Sequence, residues 1–314
     1  MLDPAQQIVL AAGRYRACLA PAAGARLASL TWRGDAAAHD LVVPLDAATP
    51  FDPQVWPKAG AFPMAPFSNR LSGTRFLWGE REIEFARPPG GASPLHGFAH
   101  RMRWQVLSTS AHAATLRHLH DGASEGWPWP FELTLQVALD EAGAEVRLRL
   151  TNRAAEAAPA GLGWHPYHRF DGCKNNPSAQ VRFTAHTCRA VGPGGAFMQA
   201  PSPAPRALRE FGLQLADLAP QTTACEDWTG QASLPLAQGA RLAITCRNTD
   251  HVILHVPAGS NYLCLEPVTL LPGALQCYAP ADAARMIALA PQSTREISWR
   301  CAVVEEPCDE SDLL

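Results

Sequence analysis

A chain of 314 residues with 47% hydrophobic and 18% charged content can bury a full core, at the upper end of what one domain holds. Its formal net charge of -3, from 26 basic against 29 acidic residues, argues against a nucleic-acid partner, which needs clustered Lys and Arg. No window reaches the unbroken apolar length of a membrane span. The N-terminal stretch is interrupted by Gly13, Arg14, Arg16 and Arg26, unlike a signal peptide. The nine cysteines are scattered and form no Cys-x-x-Cys pair. A cytoplasmic protein with reduced thiols is therefore expected.

In chain order, the first segment with chemical potential is Pro66-Phe67-Ser68-Asn69-Arg70, reached through Phe62-Pro63-Met64-Ala65. The Arg70 guanidinium, a planar fork of donors, suits a polyhydroxylated or anionic ligand. Arg75 to Trp78 and Glu82 to Phe85 flank Gly79-Glu80 and read as two short strands around a turn. His96 precedes Gly97, which lets the chain turn close to a ligand. His118 and His120 alternate on one strand; with no third ligand nearby they read as a solvated strand face.

The clearest periodicity is Phe131, Leu133, Leu135, Val137 and Leu139, interleaved with Glu132, Thr134, Gln136 and Ala138. After the turn Asp140-Glu141-Ala142-Gly143, the residues Val146, Leu148 and Leu150 alternate with Arg147 and Arg149, which predicts an antiparallel hairpin. The segment Leu162-Gly163-Trp164-His165-Pro166-Tyr167-His168 follows. Pro166 pushes His165 out of the helical region, so the imidazole projects from extended backbone beside aromatic surface, where it can exchange a proton near neutral pH. Further strands are predicted over Val181 to Cys188, Leu242 to Cys246, Val252 to Val256, Tyr262 to Thr269 and Glu296 to Val304, with a few helical turns over Ala207 to Leu218. In the strand from Tyr262, Glu266 shares a face with Tyr262 and Cys264, while Leu263 and Leu265 point the other way. A carboxylate on so apolar a strand needs an ion-pair partner or a chemical task.

Many short strands punctuated by 28 Pro and 23 Gly predict an all-β protein, a large antiparallel sandwich or barrel in one domain over residues 1–314. The acidic stretch at about 305–314 reads as a solvated tail. Oligomeric state is left open between monomer and dimer.

Taken together, Asn69-Arg70 after Pro66-Phe67-Ser68, then His96-Gly97, His165-Pro166-Tyr167 and Glu266-Pro267 resemble, in order and spacing, the motifs of the aldose 1-epimerase (galactose mutarotase) family. The resemblance runs from about Ala25 to Val303, with Trp127-Pro128-Trp129-Pro130-Phe131 and Ala288 to Trp299 as further landmarks. It implies a large antiparallel β-sandwich with an open sugar-binding cleft. It also implies a cofactor-free and metal-free interconversion of the α and β anomers of a hexose or related aldose, with a small-molecule sugar as the partner. Glu266 resembles the general base that takes the C1 hydroxyl proton, and His165 the general acid that protonates the ring oxygen. Asn69, Arg70 and His96 are similar to residues that bind and orient the sugar. Trp56 and Trp164 are candidates to pack on the pyranose face or in the core.

Two departures from the family pattern bear on the substrate. An aspartate that binds sugar hydroxyls is expected near Thr222, where this chain has none; Asp217 and Asp227 are the nearest substitutes. After Glu266 the chain continues Pro267-Val268-Thr269-Leu270-Leu271-Pro272-Gly273, less polar than its relatives. Alternative readings are a hexose 6-phosphate mutarotase, for which Arg70, Arg75 and Arg103 are candidate phosphate ligands, and an idle carbohydrate-binding or regulatory protein of the same fold.

Overall fold

The computed structural model describes residues 7–305, apart from 47, 49, 87–92, 171–178, 193–194, 196–206, 237–238 and 278–287. Two large sheets account for most of it, and every strand pairing within them is antiparallel. The first runs in the order Ile8–Ala12, Tyr15–Ala20, Arg26–Arg33, Ala61–Met64, Gly163–Arg169, Tyr262–Val268, His251–Val256, Gln221–Glu226 and Thr187–Ala190, with Ala38–Asp40 added beside Arg26–Arg33. The second runs Arg209–Gln214, Gln180–Ala185, Gln231–Pro235, Ala240–Arg247, Thr294–Glu305, Gly143–Asn152, Phe131–Asp140, Ala113–His120 and Gln105–Thr109. One apolar cluster joins them, with Leu27, Leu30, Leu263 and Leu265 from the first sheet and Leu133, Leu135, Leu148 and Ile297 from the second. This is the expected all-β sandwich.

The hairpin predicted around Asp140 to Gly143 is present, with Phe131 opposite Asn152 and Leu139 opposite Ala144. So is the one around Gly79-Glu80, where Phe76 faces Ile83. The helical turns expected over Ala207 to Leu218 are not. That segment forms the edge strand Arg209–Gln214 against Gln180–Ala185, then a single 3-10 turn at Leu215–Asp217. Phe211, Leu213 and Leu215 supply a period of two, and Phe211 stacks on Phe183 at 5.2 Å, so sheet packing overrides the weak helical spacing.

Two further expectations are corrected. His118 and His120 lie on the core side of their strand with Ala114 and Leu116; His120 is buried against Phe131, and a ring nitrogen meets the Trp127 carbonyl at 2.7 Å. Cys188 and Cys225 form a disulfide between the neighbouring strands Thr187–Ala190 and Gln221–Glu226, where the register sets them opposite each other with Cα atoms 4.0 Å apart. Their sequence separation of 37 carries no local signature, so only the strand pairing brings the sulfurs together. Cys18, Cys246, Cys264 and Cys301 are free thiols. The thiol argument for a cytoplasmic location therefore loses its force. Among the described residues, no helix is long and apolar enough to cross a membrane. Glu305 ends the last long strand and pairs with Arg14, so it belongs to the fold; the remainder of the acidic tail, 306–314, lies outside the described residues.

Candidate active site

The centre of the first sheet carries the site. Its two middle strands, Gly163–Arg169 and Tyr262–Val268, are buried on both faces. One face of Tyr262–Val268 feeds the main core through Leu263 and Leu265, while Cys264 and Val268 join a smaller cluster with Phe62, Met64 and Tyr167. Glu266 projects on this second side, as the alternation predicts. The register sets Gly163 opposite Val268 and Tyr167 opposite Cys264, which brings His165 beside Glu266. The contact is direct, at 3.3 Å from His165 Nε2 to Glu266 Oε1, and both side chains are nearly inaccessible to solvent. Phe62 and Tyr167 both pack on the imidazole, with ring centroids at 4.5 and 4.8 Å.

His96 arrives from a different part of the chain. Its backbone and that of Gly97 are left-handed, with φ of +62° and +63°. A Cβ on Gly97 would stand 2.1 Å from the Ala65 carbonyl oxygen, so only glycine permits this approach. Phe98 and Ala99 donate their backbone N–H groups to that carbonyl, and His96 N–H donates to Asn69 O at 2.9 Å. The His96 ring meets His165 edge-on at 5.0 Å. The two other motifs are tied in as well: Ser68 Oγ and Asn69 Nδ2 both donate to the Leu270 carbonyl at 2.9 Å, and Gly273 N–H donates to Arg70 O. Four segments spread over two hundred residues are thus laced into one wall.

These residues line a cleft of about 650 Å³, large enough for a small ligand. All five expected site residues, Asn69, Arg70, His96, His165 and Glu266, border it. Asn69 does so with its amide nitrogen already committed to Leu270. Burial pushes the Glu266 carboxyl up to about 8, and burial together with neighbouring positive groups pulls His96 and His165 well below the usual imidazole range. Glu266 Oε2, His165 Nδ1 and His96 Nδ1 are buried and have no hydrogen-bond partner among the described residues, an arrangement that a bound polar ligand would relieve. At neutral pH these directions leave the single proton of the adjacent His165–Glu266 pair on Glu266, with the imidazole neutral. Such a pair can take a proton from one ligand oxygen while giving one to another. The donor atoms of His96, His165 and Glu266 also lie within 4.8 Å of one another, close enough to offer three ligands to a metal ion.

The sequence profile of the aldose 1-epimerase family matches residues 6–198. The chain belongs to that family. Among its relatives, the uncharacterized protein YphB of Escherichia coli (strain K12) is 28% identical over 274 residues, 77% of this chain and 83% of YphB. A candidate aldose 1-epimerase from Escherichia coli K12 has a crystal structure similar to this fold, with a TM-score of 0.75 at 22% identity over 96% of this chain and 99% of that one. The GalM/aldose epimerase homologue from C. elegans superposes with a TM-score of 0.75 at 16% identity, over 95% and 98% of the two chains. At these identities the structural likeness is one of fold.

Thr222, near which the aspartate was expected, can now be placed in the fold. Thr222 borders the cleft, and its hydroxyl meets His255 Nδ1 at 2.8 Å across the strand pair. Asp217, on the 3-10 turn, and Asp227, after the strand Gln221–Glu226, do not line the cleft. Neither do Arg75, held by Glu82 and Glu84 on an exposed hairpin, nor Arg103. Trp164 is core, packed toward Trp299, whereas Trp56 forms cleft wall and donates its indole N–H to Tyr167 Oη at 3.3 Å. Among the cleft residues that sequence reasoning missed are two with titratable side chains, Lys58 and His255. For His255 a signal existed: Val252, Leu254 and Val256 face the core, so the same alternation that defines their strand turns Ile253 and His255 to the opposite side. Lys58 lies just before the strand Ala61–Met64, where no periodicity marks its direction.

Proposed function

We propose that this member of the aldose 1-epimerase family interconverts the α and β anomers of an aldose by acid–base ring opening and closure. The observation that carries the reading is the His165–Glu266 pair, two adjacent groups at 3.3 Å that hold one proton on the floor of a cleft. The anomeric hydroxyl and the ring oxygen share one carbon, so two side chains set next to each other can serve both. Burial favours that proton on Glu266, so the reactive form is the one in which it has passed to His165; from that form Glu266 accepts the proton of the C1 hydroxyl and a carbonyl forms at C1. The bond from C1 to the ring oxygen breaks, and that oxygen takes the proton from His165. Rotation about C1–C2 presents the other carbonyl face, and the reverse transfers close the ring. His96, edge-on to His165, and Arg70 supply donors that orient the sugar and offset charge developing on its oxygens. Each assisting group contributes roughly 10²-fold to 10⁴-fold.

The test is polarimetry on freshly dissolved α-aldoses, neutral and anionic. Acceleration of the rotation change is the expected result; none across the panel would overturn the enzyme reading. Activity is expected to survive dialysis against a chelator. Loss of activity, with recovery on adding a divalent ion, would instead recast His96, His165 and Glu266 as metal ligands.

A further inference from the structure

Sugar hydroxyls both donate and accept hydrogen bonds, so a site for a neutral sugar mixes carboxylate or amide oxygens with its donors. The described lining of this cleft holds two amides, Asn69 and Gln221, the oxygen of the latter already accepting from Thr223, and its one carboxylate, Glu266, is engaged with His165. Opposed to it stand Lys58, Arg70 and His255. Among the described residues neither Lys58 nor Arg70 is ion-paired with a carboxylate. The Lys58 ammonium sits over the Trp56 ring, 4.5 Å from its centroid, and Arg70 gives one of its five donors to the Ser93 carbonyl. Lys58 borders the same cleft as His96, His165 and His255, and burial, with Arg26, lowers its ammonium pKa from the ordinary value. Thr222 meets His255 Nδ1 at 2.8 Å across the strand pair, and both residues border the same cleft as Lys58 and Arg70.

Building on the mutarotase reading, we propose that the preferred substrate is an aldose bearing an oxyanion, a carboxylate or a phosphate, on a carbon other than C1, and that Lys58 with Arg70 and His255 binds that oxyanion. Charge-assisted hydrogen bonds from an ammonium and a guanidinium would satisfy the group, and its charge would balance theirs.

The experiment compares anomerisation of glucuronate and galacturonate, of glucose and galactose 6-phosphates, and of free glucose and galactose, by NMR exchange or polarimetry at low salt. At least one anionic class is expected to exceed the neutral sugars in kcat/KM by 10-fold or more, and the arm that responds identifies carboxylate or phosphate. Lys58→Gln is expected to lower that value about 10-fold, chiefly through KM, and to collapse the anionic preference, whereas Lys58→Arg retains it. Circular dichroism of each variant controls for folding. Neutral sugars turned over as well as anionic ones would overturn the oxyanion proposal and leave the mutarotase reading standing. Calorimetric binding of the anionic sugars, weakened by Lys58→Gln, without acceleration of any anomerisation would support the oxyanion site and overturn the mutarotase reading. Absence of both binding and acceleration would overturn both.

Discussion

The two sheets solve opposite problems. Strands of the second sheet alternate buried leucine and valine with solvated polar residues: Phe131–Asp140 sets Leu133, Leu135 and Val137 inward and Glu132, Thr134 and Gln136 outward, and Gly143–Asn152 repeats the pattern. The central strands of the first sheet are covered on both faces, yet they hold His165, His168 and Glu266. A polar group buried beside apolar neighbours costs stability unless it is paired. One sheet therefore supplies the favourable side of folding, and the other uses part of that stability to keep an acid and a base out of water.

Perturbing each sheet should separate these roles. The largest effect is expected from Glu266→Gln, which removes the proposed base and should slow anomerisation by roughly 10²-fold to 10⁴-fold while circular dichroism and melting show an intact fold. Leu135→Ala should do the reverse, costing about 2–5 kcal/mol in urea denaturation with little change in rate per folded molecule. If Leu135→Ala slowed the chemistry as much as Glu266→Gln, the division between the sheets would fail. Gly97→Ala forces a left-handed residue against the Ala65 carbonyl; a stability loss of about 1–3 kcal/mol is expected, together with a lowered rate because His96 moves. At the small end, Arg149→Ala breaks an exposed pair with Glu296 on the outer face and should cost no more than about 1 kcal/mol.

The pH dependence of stability distinguishes the same regions. Glu266 has a folded value of about 8 against an ordinary 4.5, so between these values the folded state binds more protons. Its contribution to stability is thus favourable at low pH and is lost as pH rises toward 8. His96 and His165 act in the opposite sense: depressed in the fold, they weaken it as pH falls through their ordinary value of 6.5, where the unfolded chain takes up protons. Glu266→Gln should flatten the alkaline side of a melting-temperature profile and leave the acidic side. The rate should also decline above about pH 8, where the pair loses its single proton.

What the sequence could disclose follows from the same contrast. Alternation located the long strands of the second sheet, such as Phe131–Asp140 and Gly143–Asn152, because a half-buried strand writes its two faces into its composition. For the first sheet, alternation placed Glu266 on the face away from Leu263 and Leu265, and four short motifs gathered the remaining candidates. Periodicity could not show that Thr187–Ala190 lies against Gln221–Glu226, and so the cysteine pair stayed hidden. It misread Arg209–Gln214 because apolar spacing in so short a segment serves a helix and a strand almost equally. Lys58 escaped for a different reason. It precedes a strand, and only the packing of Trp56 gives its ammonium a direction.

Asn69, expected as a sugar ligand, spends its amide nitrogen on the Leu270 carbonyl. That bond, with those of Ser68, His96 and Gly273, makes one side of the cleft a fixed jaw whose shape is set by main chain. The facing jaw, with Thr222 and His255, is joined by side chains across regular strands and can be rewritten without unlacing the fold. Attempts to retune which ligand the cleft accepts should therefore begin at Thr222 and His255, and leave Asn69 as a hinge pin.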